Sequence, residues 1–206
     1  GWIFIDKPKG ITSFDVIRKV RAFTKIKKIG HSGTLDPFAT GVLALAFGEA
    51  TKSIQFLSSV KEYDFEITFG EKRDTDDVTG NVIESNDVYP SLNSINNCIK
   101  TFIGTIDQVP PHYSAVKVEG QRAYKLARKG KTFELGSKKV EIFKFQCLTK
   151  TADNIYSLRV KCSSGTYIRS LARDIAEKLG CFAYVSSLRR TGIGKINEKN
   201  LISLDK

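Results

Sequence analysis

A stretch of alternating side chains in the first third of the chain limits the folds that it can adopt. In KEYDFEITFG, residues 61–70, the apolar side chains of Tyr63, Phe65, Ile67 and Phe69 alternate with polar ones. Successive side chains of a β-strand point to opposite faces of a sheet, so this pattern predicts a strand with one buried face. The fold is therefore expected to contain a sheet.

Other segments repeat apolar residues at the spacing of an α-helix. The first of them follows Thr12 or Ser13, either of which is a favourable N-cap. Its predicted buried face comprises Phe14, Ile17, Val20 and Phe23. Further helices are predicted at 92–102, before Gly130 and at 168–179, and further strands at 2–5, 114–118, 139–148 and 155–162. This mixture predicts an α+β, or mixed α/β, class.

The charge balance favours a polyanionic partner. The chain has 33 Lys and Arg against 22 Asp and Glu, for a net charge of +11. Basic side chains concentrate between Lys7 and Lys28 and between Lys117 and Lys139, whereas acidic ones concentrate between Glu62 and Asp87. Such blocks attract nucleic acid by steering and counterion release, although a solvated surface explains any single lysine equally well.

Several classes of protein lack support in the sequence. The 4 cysteines form no CxxC pair and there are only 2 histidines, which argues against a zinc site and predicts reduced thiols. No dinucleotide-binding or Walker motif is present, and TGIGK at 191–195 is predicted to be a turn. No apolar run approaches the length of a membrane span and no signal peptide opens the chain, so a cytoplasmic protein is expected.

One glycine-rich loop, GHSGTLDPFATGVL at residues 30–43, contains a single carboxylate. Asp36 precedes Pro37, which favours an extended backbone, and the nearby glycines allow close approach of a ligand. The loop is thus suited to hold one carboxylate rigidly against a ligand. Alternatively, Asp36 caps a helix that begins at Pro37, and local chemistry alone favours this second interpretation.

The loop and four later motifs resemble those of one family. GHSGTLDPFATGVL, with IDKPKGITSFD before it and FGEATK after it, is similar to the TruB family of tRNA pseudouridine-55 synthases. KEYDFEITFGEKRDTDDVTG, QVPPHYSAVKVEGQRAYKLARKG, CSSGTYIRSLARDIAEKLGC and VSSLRRTGIG follow in the family's order. The resemblance implies the pseudouridine synthase fold, a central mixed and mainly antiparallel sheet flanked by helices with a catalytic cleft across it.

The resemblance also implies a reaction that needs no cofactor and no metal. A uridine of the tRNA T-loop is flipped out, its N1–C1′ bond is broken, and the uracil is rejoined through C5. The family's essential aspartate falls on Asp36, its cationic partner on Arg169, and its base-stacking tyrosine on Tyr63. From the strand pattern alone, Tyr63 is better interpreted as a core residue.

The remaining site residues are also assigned by resemblance. The substrate-binding positions implied are Lys7, His31, Asp77, Tyr167 and Leu188. Tyr167 and Leu188 fit a core role equally well, His31 fits a surface hydrogen-bonding role, and Asp77 fits an acidic loop that aids solubility.

The expected partner is the T-arm and elbow of tRNA, bound by a monomer that requires no protein partner. A segment at about 110–140 is expected to clamp the RNA, and Arg18, Lys19, Arg122, Arg128 and Lys129 are the expected backbone contacts. Residues 1–206 are expected to form one catalytic domain without the C-terminal PUA domain of many relatives. The alternatives are a tRNA-folding chaperone and a glycosidic hydrolase, but no second carboxylate is assigned for the latter.

Overall fold

The computed structural model describes residues 1–204. The chain divides into two compact units. The first unit comprises Gly1–Asp64 with the segment from Ser187 onward, and the second unit comprises Phe65–Ser186.

Fourteen strands occur in the described residues: β1 (Trp2–Lys7), β2 (Ile29–His31), β3 (Thr40–Phe47), β4 (Val60–Phe69), β5 (Glu71–Arg73), β6 (Val82–Ser85), β7 (Gly104–Gln108), β8 (Lys117–Val118), β9 (Gln121–Arg122), β10 (Lys138–Ala152), β11 (Ile155–Ser163), β12 (Ala183–Ile193), β13 (Ile196–Asn197) and β14 (Ile202–Ser203). The α-helices are α1 (Ser13–Thr24), α2 (Leu92–Lys100), α3 (Ala123–Arg128) and α4 (Ile168–Lys178). Two 3-10 helices span Gly48–Phe56 and Glu198–Asn200.

Ten of these described strands form one mixed sheet, which confirms the predicted class. In the first unit β1 pairs antiparallel with β3 and parallel with β14, and β12 pairs parallel with β3 at Arg190 and Gly41. In the second unit β10 pairs antiparallel with both β7 and β11. The sheet is therefore mainly antiparallel, with parallel pairs in the first unit.

Helix α1 begins where the sequence predicts, but only two of the four residues of its predicted buried face, Ile17 and Val20, are buried. Thr12 caps it, because its side chain accepts from the Asp15 amide while the Asp15 side chain accepts from the Thr12 amide. Phe14 and Phe23 were expected in the core, yet they are 59% and 86% exposed. The four predicted residues are spaced by three, whereas a helix has 3.6 residues per turn. Their side chains therefore spread over two faces of the helix. The buried face consists of Ser13, Val16, Ile17 and Val20.

Strand β4 confirms the alternation seen in the sequence. Tyr63, Phe65, Ile67 and Phe69 are all buried. In the second unit Phe65 packs near Phe145, with ring centroids 6.2 Å apart, and Phe69 meets Tyr156 edge-on at 6.0 Å. The aromatic side chains of β4 therefore form part of the core.

Two predicted segments differ in detail. The expected polar loop after β4 contains a hairpin, in which β5 pairs with β6. TGIGK is mostly strand, since β12 continues to Ile193 and the turn lies at Gly194 and Lys195. Polar composition alone does not distinguish an exposed hairpin from a loop, because β6 is exposed on both faces.

All four cysteines lie in the second unit, and none of them forms a disulfide. Cys98, Cys162 and Cys181 are buried, and Cys147 is half-buried. Burial raises the pKa of the Cys98 and Cys147 thiols, and it raises the pKa of Cys181 to about 11. No helix within residues 1–204 combines the length and apolar character that crossing a membrane requires.

Candidate functional site

The expected site residues fall into two groups, one in each unit. The first unit contains Lys7, His31, Asp36, Tyr63 and Leu188. The second unit contains Asp77, Tyr167 and Arg169. Each group has its own geometry.

Asp36 begins a tight turn, not a helix. The Ala39 amide donates to the Asp36 carbonyl at 3.1 Å, and β3 begins at Thr40. The helix-cap interpretation is therefore wrong, because the chain enters a strand before a helical turn can form. Leu35 precedes the turn and Phe38 lies within it, and they are 3% and 5% exposed, whereas Asp36 is half-buried. The apolar neighbours fix the turn in the protein, while part of the surface of Asp36 stays accessible.

Lys7 holds this turn from β1. Its side chain is fully buried, and its ammonium donates to the carbonyls of Ala39 at 2.7 Å, Pro8 at 2.9 Å and Pro37 at 3.3 Å. These three bonds use all three N–H groups of the ammonium. Burial lowers the pKa of Lys7 to about 8, and the negative charge of Asp36 opposes that shift. Lys7 therefore supports the backbone around Asp36 and lies within electrostatic range of its carboxylate.

Ser13 fixes the turn from the other side. Its buried hydroxyl accepts from the Leu35 amide at 2.9 Å and donates to the Leu35 carbonyl at 3.2 Å. The sequence suggested Ser13 only as a helix cap. A serine that begins a helix carries no signal for such a distant contact, so sequence reasoning missed this role.

His31 lies at the end of β2, opposite Leu45. Its Nδ1 accepts from the Gly33 amide at 3.2 Å. Burial lowers the pKa of the imidazole below its ordinary value. The neutral ring therefore carries its proton on Nε2 and contributes to the conformation of the loop that contains Asp36.

Tyr63 and Leu188 are interior residues of the first unit, 7% and 6% exposed. Their burial fits the core interpretation that the sequence left open. Their roles in binding a base stay predictions.

In the second unit Arg169 lies in the first turn of α4, as the sequence predicts. Its Nε lies 3.6 Å from Oδ2 of Asp77 in an ion pair of which both side chains are almost fully buried. Its terminal nitrogens donate to the carbonyls of Thr75 at 3.0 Å and Tyr113 at 3.1 Å. Arg169 is thus a buried cation held at several points.

Asp77 is a structural anchor as well as a carboxylate. Its Oδ1 accepts from the Thr79 amide, the Thr79 hydroxyl and the Thr75 hydroxyl. Since only 4% of the residue is exposed, the alternative that Asp77 serves solubility is wrong. Asp77 orders its own loop and pairs with Arg169.

The neighbouring Asp76 has an unusual backbone and an unusual pKa. Its φ is 59°, in the left-handed region, and 9% of the residue is exposed. Burial raises the pKa of its carboxyl to about 6, although Arg173, 3.4 Å away, opposes the shift. Two consecutive buried carboxylates therefore face arginines one turn apart on α4.

Gln108 fixes the start of α4. It is fully buried at the end of β7, where its Nε2 donates to the Tyr167 carbonyl at 3.1 Å and its Oε1 accepts from the Tyr167 amide at 2.8 Å. The Ser170 hydroxyl donates to the carbonyl of Val109, the residue after Gln108, at 2.8 Å. These bonds orient the backbone between Tyr167 and Arg169. Tyr167 itself is half-buried.

The expected RNA contacts are exposed cations in both units. Arg18 and Lys19 lie on α1 in the first unit, where Arg18 pairs with Asp15. In the second unit Arg122 donates to the Ala115 carbonyl. The guanidinium of Arg128 lies 5.6 Å from the Tyr124 ring, and Lys129 follows α3.

Two cavities have linings that do not include Asp36, Tyr63 or Arg169. The cavity of about 360 Å³ in the first unit is lined by Asp6, Lys7, Pro8, Thr40, Arg189, Glu198, Leu201 and Ser203. The cavity of about 240 Å³ in the second unit is lined mostly by β4, its hairpin and the segment up to Tyr89. Within residues 1–204, no cluster of three or more His, Cys, Asp or Glu is placed to hold a metal ion.

Comparison with known families identifies the chain. Residues 21–168 match the TruB family pseudouridylate synthase, N-terminal domain, and residues 169–206 match the tRNA pseudouridylate synthase B C-terminal domain. The chain belongs to the TruB family. The resemblance drawn from the sequence motifs is thereby confirmed.

Individual members of the TruB family match the whole chain. The tRNA pseudouridine synthase B of Ehrlichia ruminantium (strain Gardel) is 46% identical over 100% of this chain and 70% of its own length. That of Wolbachia pipientis subsp. Culex pipiens (strain wPip) is 43% identical over 100% of this chain and 59% of its own. A crystal structure of a Cbf5-Nop10-Gar1 complex matches with a TM-score of 0.76 and 32% identity, covering 100% of this chain and 52% of that chain. The chain thus corresponds to only part of the length of these relatives.

Proposed function

We propose that this chain is an isomerase that converts a uridine of tRNA to pseudouridine, and that its target is uridine 55 in the T-loop. Membership of the TruB family supports the reaction class, and relatives named tRNA pseudouridine synthase B support tRNA as the substrate. The net charge of +11 suits a polyanionic substrate.

The observation that carries this proposal is the support around Asp36. One half-buried carboxylate sits in a turn whose flanking backbone is held by Lys7 and Ser13. A reactive group gains most when its position is fixed before the substrate binds. The turn is suited to present Asp36 to a sugar as nucleophile or as a charge-stabilising base.

The proposed reaction breaks the N1–C1′ bond, turns the uracil, and forms a C1′–C5 bond, with the C5 proton lost to solvent and a proton gained at N1. The reaction involves no net oxidation, so the side chains of the protein are sufficient to carry it out. Tyr63 is proposed to stack on the target base, and Arg169 to supply positive charge. His31, Leu188 and Tyr167 are proposed to contact the flipped nucleotide.

Flipping a nucleotide out of a structured loop costs a few kcal/mol. Stacking on aromatic side chains and neutralisation of phosphates are proposed to offset that cost. The candidate phosphate contacts are Arg18, Lys19, Arg122, Arg128 and Lys129. Residues 110–140, which include α3, are proposed to clamp the T-arm and elbow of the tRNA.

Tritium release from tRNA labelled at uracil C5 tests this function. We expect release by the parent and none by Asp36→Asn, with tRNA affinity unchanged, because the amide preserves the shape of the side chain but cannot form the carboxylate. Asp107→Asn, at an exposed position on β7, is the matched control and should release tritium like the parent.

Equal release by the parent and by Asp36→Asn would remove Asp36 from the mechanism. Tight binding without release by the parent would favour the chaperone alternative. If the parent neither binds tRNA nor releases tritium, the proposed function as a whole is contradicted.

A further inference from the structure

Two neighbouring arginines of β12 have opposite surroundings. Arg189 is half-buried and pairs with Asp6, 2.9 Å away, and with Glu198. Arg190 is fully buried, and its side-chain hydrogen bonds go to backbone carbonyls instead of a carboxylate. The two side chains therefore have different roles, although they are adjacent and chemically identical.

Arg190 spans the two ends of the loop that contains Asp36. Its Nε donates to the Val42 carbonyl at 2.7 Å, and its Nη2 donates to the Gly33 carbonyl at 3.1 Å. Gly33 precedes Asp36 and Val42 follows it. The planar guanidinium fixes the separation of these two carbonyls, since its donors are held in a rigid fork.

The backbone of the loop is also adapted to Arg190. Gly41 pairs with Arg190 across the sheet and has φ of 99°, and a Cβ there would lie 2.2 Å from the Arg190 carbonyl oxygen. Gly33 has φ of 133°, and a Cβ there would lie 2.7 Å from Nζ of Lys61 and at an ordinary contact distance of 3.8 Å from Nη1 of Arg190. Gly41 thus lets the loop lie directly against the backbone of this arginine.

Stability alone does not account for such a residue. A buried charge without a carboxylate partner is costly, and an apolar side chain of similar volume usually stabilises a core at least as well. Nη1 of Arg190 is buried and has no hydrogen-bond partner among the described residues. Because burying this guanidinium costs stability, its presence indicates that the site requires the loop geometry that Arg190 fixes.

We propose that Arg190 is a positioning residue, which closes the Gly33–Val42 loop and thereby sets the position of the Asp36 carboxylate. This inference rests on the proposed function for the role of Asp36. Arg190 does not touch the substrate in this proposal, so its replacement should lower the rate of the chemical step and leave tRNA affinity intact.

The test compares Arg190→Lys, Arg190→Met and the control Arg189→Lys. Lysine keeps the positive charge but lacks the planar guanidinium that bonds two carbonyls at once. Methionine keeps only the apolar volume of the side chain. We expect both Arg190 variants to lower kcat for tritium release by about 100-fold, the usual consequence of a misplaced reacting group, with KM unchanged. Amide hydrogen exchange within residues 33–42 should become faster in both variants, whereas Arg189→Lys should match the parent in rate and in exchange.

Two results would overturn the proposal. One is an Arg190→Lys variant with the kcat and the loop exchange of the parent. The other is a loss of kcat that appears only with an equal loss of folded protein in thermal unfolding, which would indicate a purely structural role. If Arg190→Met fails to fold, the lysine variant decides. If the parent releases no tritium, the proposed function fails separately, and the exchange comparison still decides whether Arg190 orders the loop.

Discussion

Arg169 and Asp77 form an ion pair inside the second unit, with 3.6 Å between Nε and Oδ2 and 4% and 5% of the side chains exposed. The same arginine holds the carbonyls of Thr75 and Tyr113. The first turn of α4 is thereby tied to the loop that contains Asp77.

Replacing Asp77 by asparagine should destabilise the protein. The amide can still accept from Thr75 and Thr79, but the buried guanidinium of Arg169 loses the negative charge of Asp77. Breaking a buried pair from one side costs about 3–5 kcal/mol, and urea denaturation should show a decrease in the free energy of unfolding near the lower limit of that range. Asp153→Asn, at an exposed carboxylate of the same unit, should change it by less than about 0.5 kcal/mol. Equal effects of the two would show that the pair contributes nothing.

Asp76 should make stability depend on pH between about 4 and 6. Its carboxyl has a pKa of about 6 in the folded protein against an ordinary value of 3.8, so the folded state keeps a proton that the unfolded state has lost. The free energy of unfolding should therefore fall as the pH rises through this window, by up to about 3 kcal/mol.

Asp76→Asn should remove that dependence, and asparagine tolerates the left-handed backbone. Relative to the parent, the variant should gain stability between pH 4 and pH 7. Urea denaturation of the two proteins at pH 4, 5, 6 and 7 measures the difference. Parallel curves for the parent and the variant would contradict the assignment of the titration to Asp76.

A methyl group at position 41 should be poorly tolerated. Gly41→Ala places a Cβ 2.2 Å from the Arg190 carbonyl oxygen, and backbone atoms cannot move aside cheaply. Gly104→Ala is a matched control, because Gly104 has φ of 104° against 99° for Gly41 but no atom within 4 Å of the added Cβ. The Gly41 variant should lose about 1–3 kcal/mol more than the Gly104 variant, as measured by denaturation. Equal losses would assign the whole effect to backbone conformation.

Charge reversal at Arg128 and Lys129 should weaken tRNA binding most at low salt. If each residue neutralises one phosphate, each reversal should also make the slope of log affinity against log salt less negative by about 0.9. Lys100→Glu, at an exposed position on α2, should leave the slope unchanged. A slope equal to that of the parent in all variants would remove these two residues from the RNA contacts.

The sequence predicted those elements whose pattern is local. The alternation in β4 is complete, so its buried face could be named residue by residue, and Arg169 could be placed on the first turn of α4. On α1 the start was correct, and Ile17 and Val20 are buried as predicted, but Phe14 and Phe23 are not. Phe14 and Phe23 attracted attention because they are large and apolar, whereas the core uses the smaller Ser13 and Val16.

The support around Asp36 was beyond sequence reasoning because it is made of long-range contacts. Lys7 and Arg190 reach the loop from β1 and β12, and each donates to backbone carbonyls, which every residue type offers. No pairing of residue types marks such a contact in a sequence. The family resemblance supplied Lys7 as a site residue, but not the way in which it acts.

The placement of the cysteines gives the second unit a built-in reporter. A thiol reagent added at neutral pH should modify half-buried Cys147 first, and it can reach Cys98, Cys162 and Cys181 only when the surrounding structure opens. The first unit has no thiol and is silent in such an assay. The rate of the slow modification therefore measures transient exposure of the second unit without an engineered cysteine.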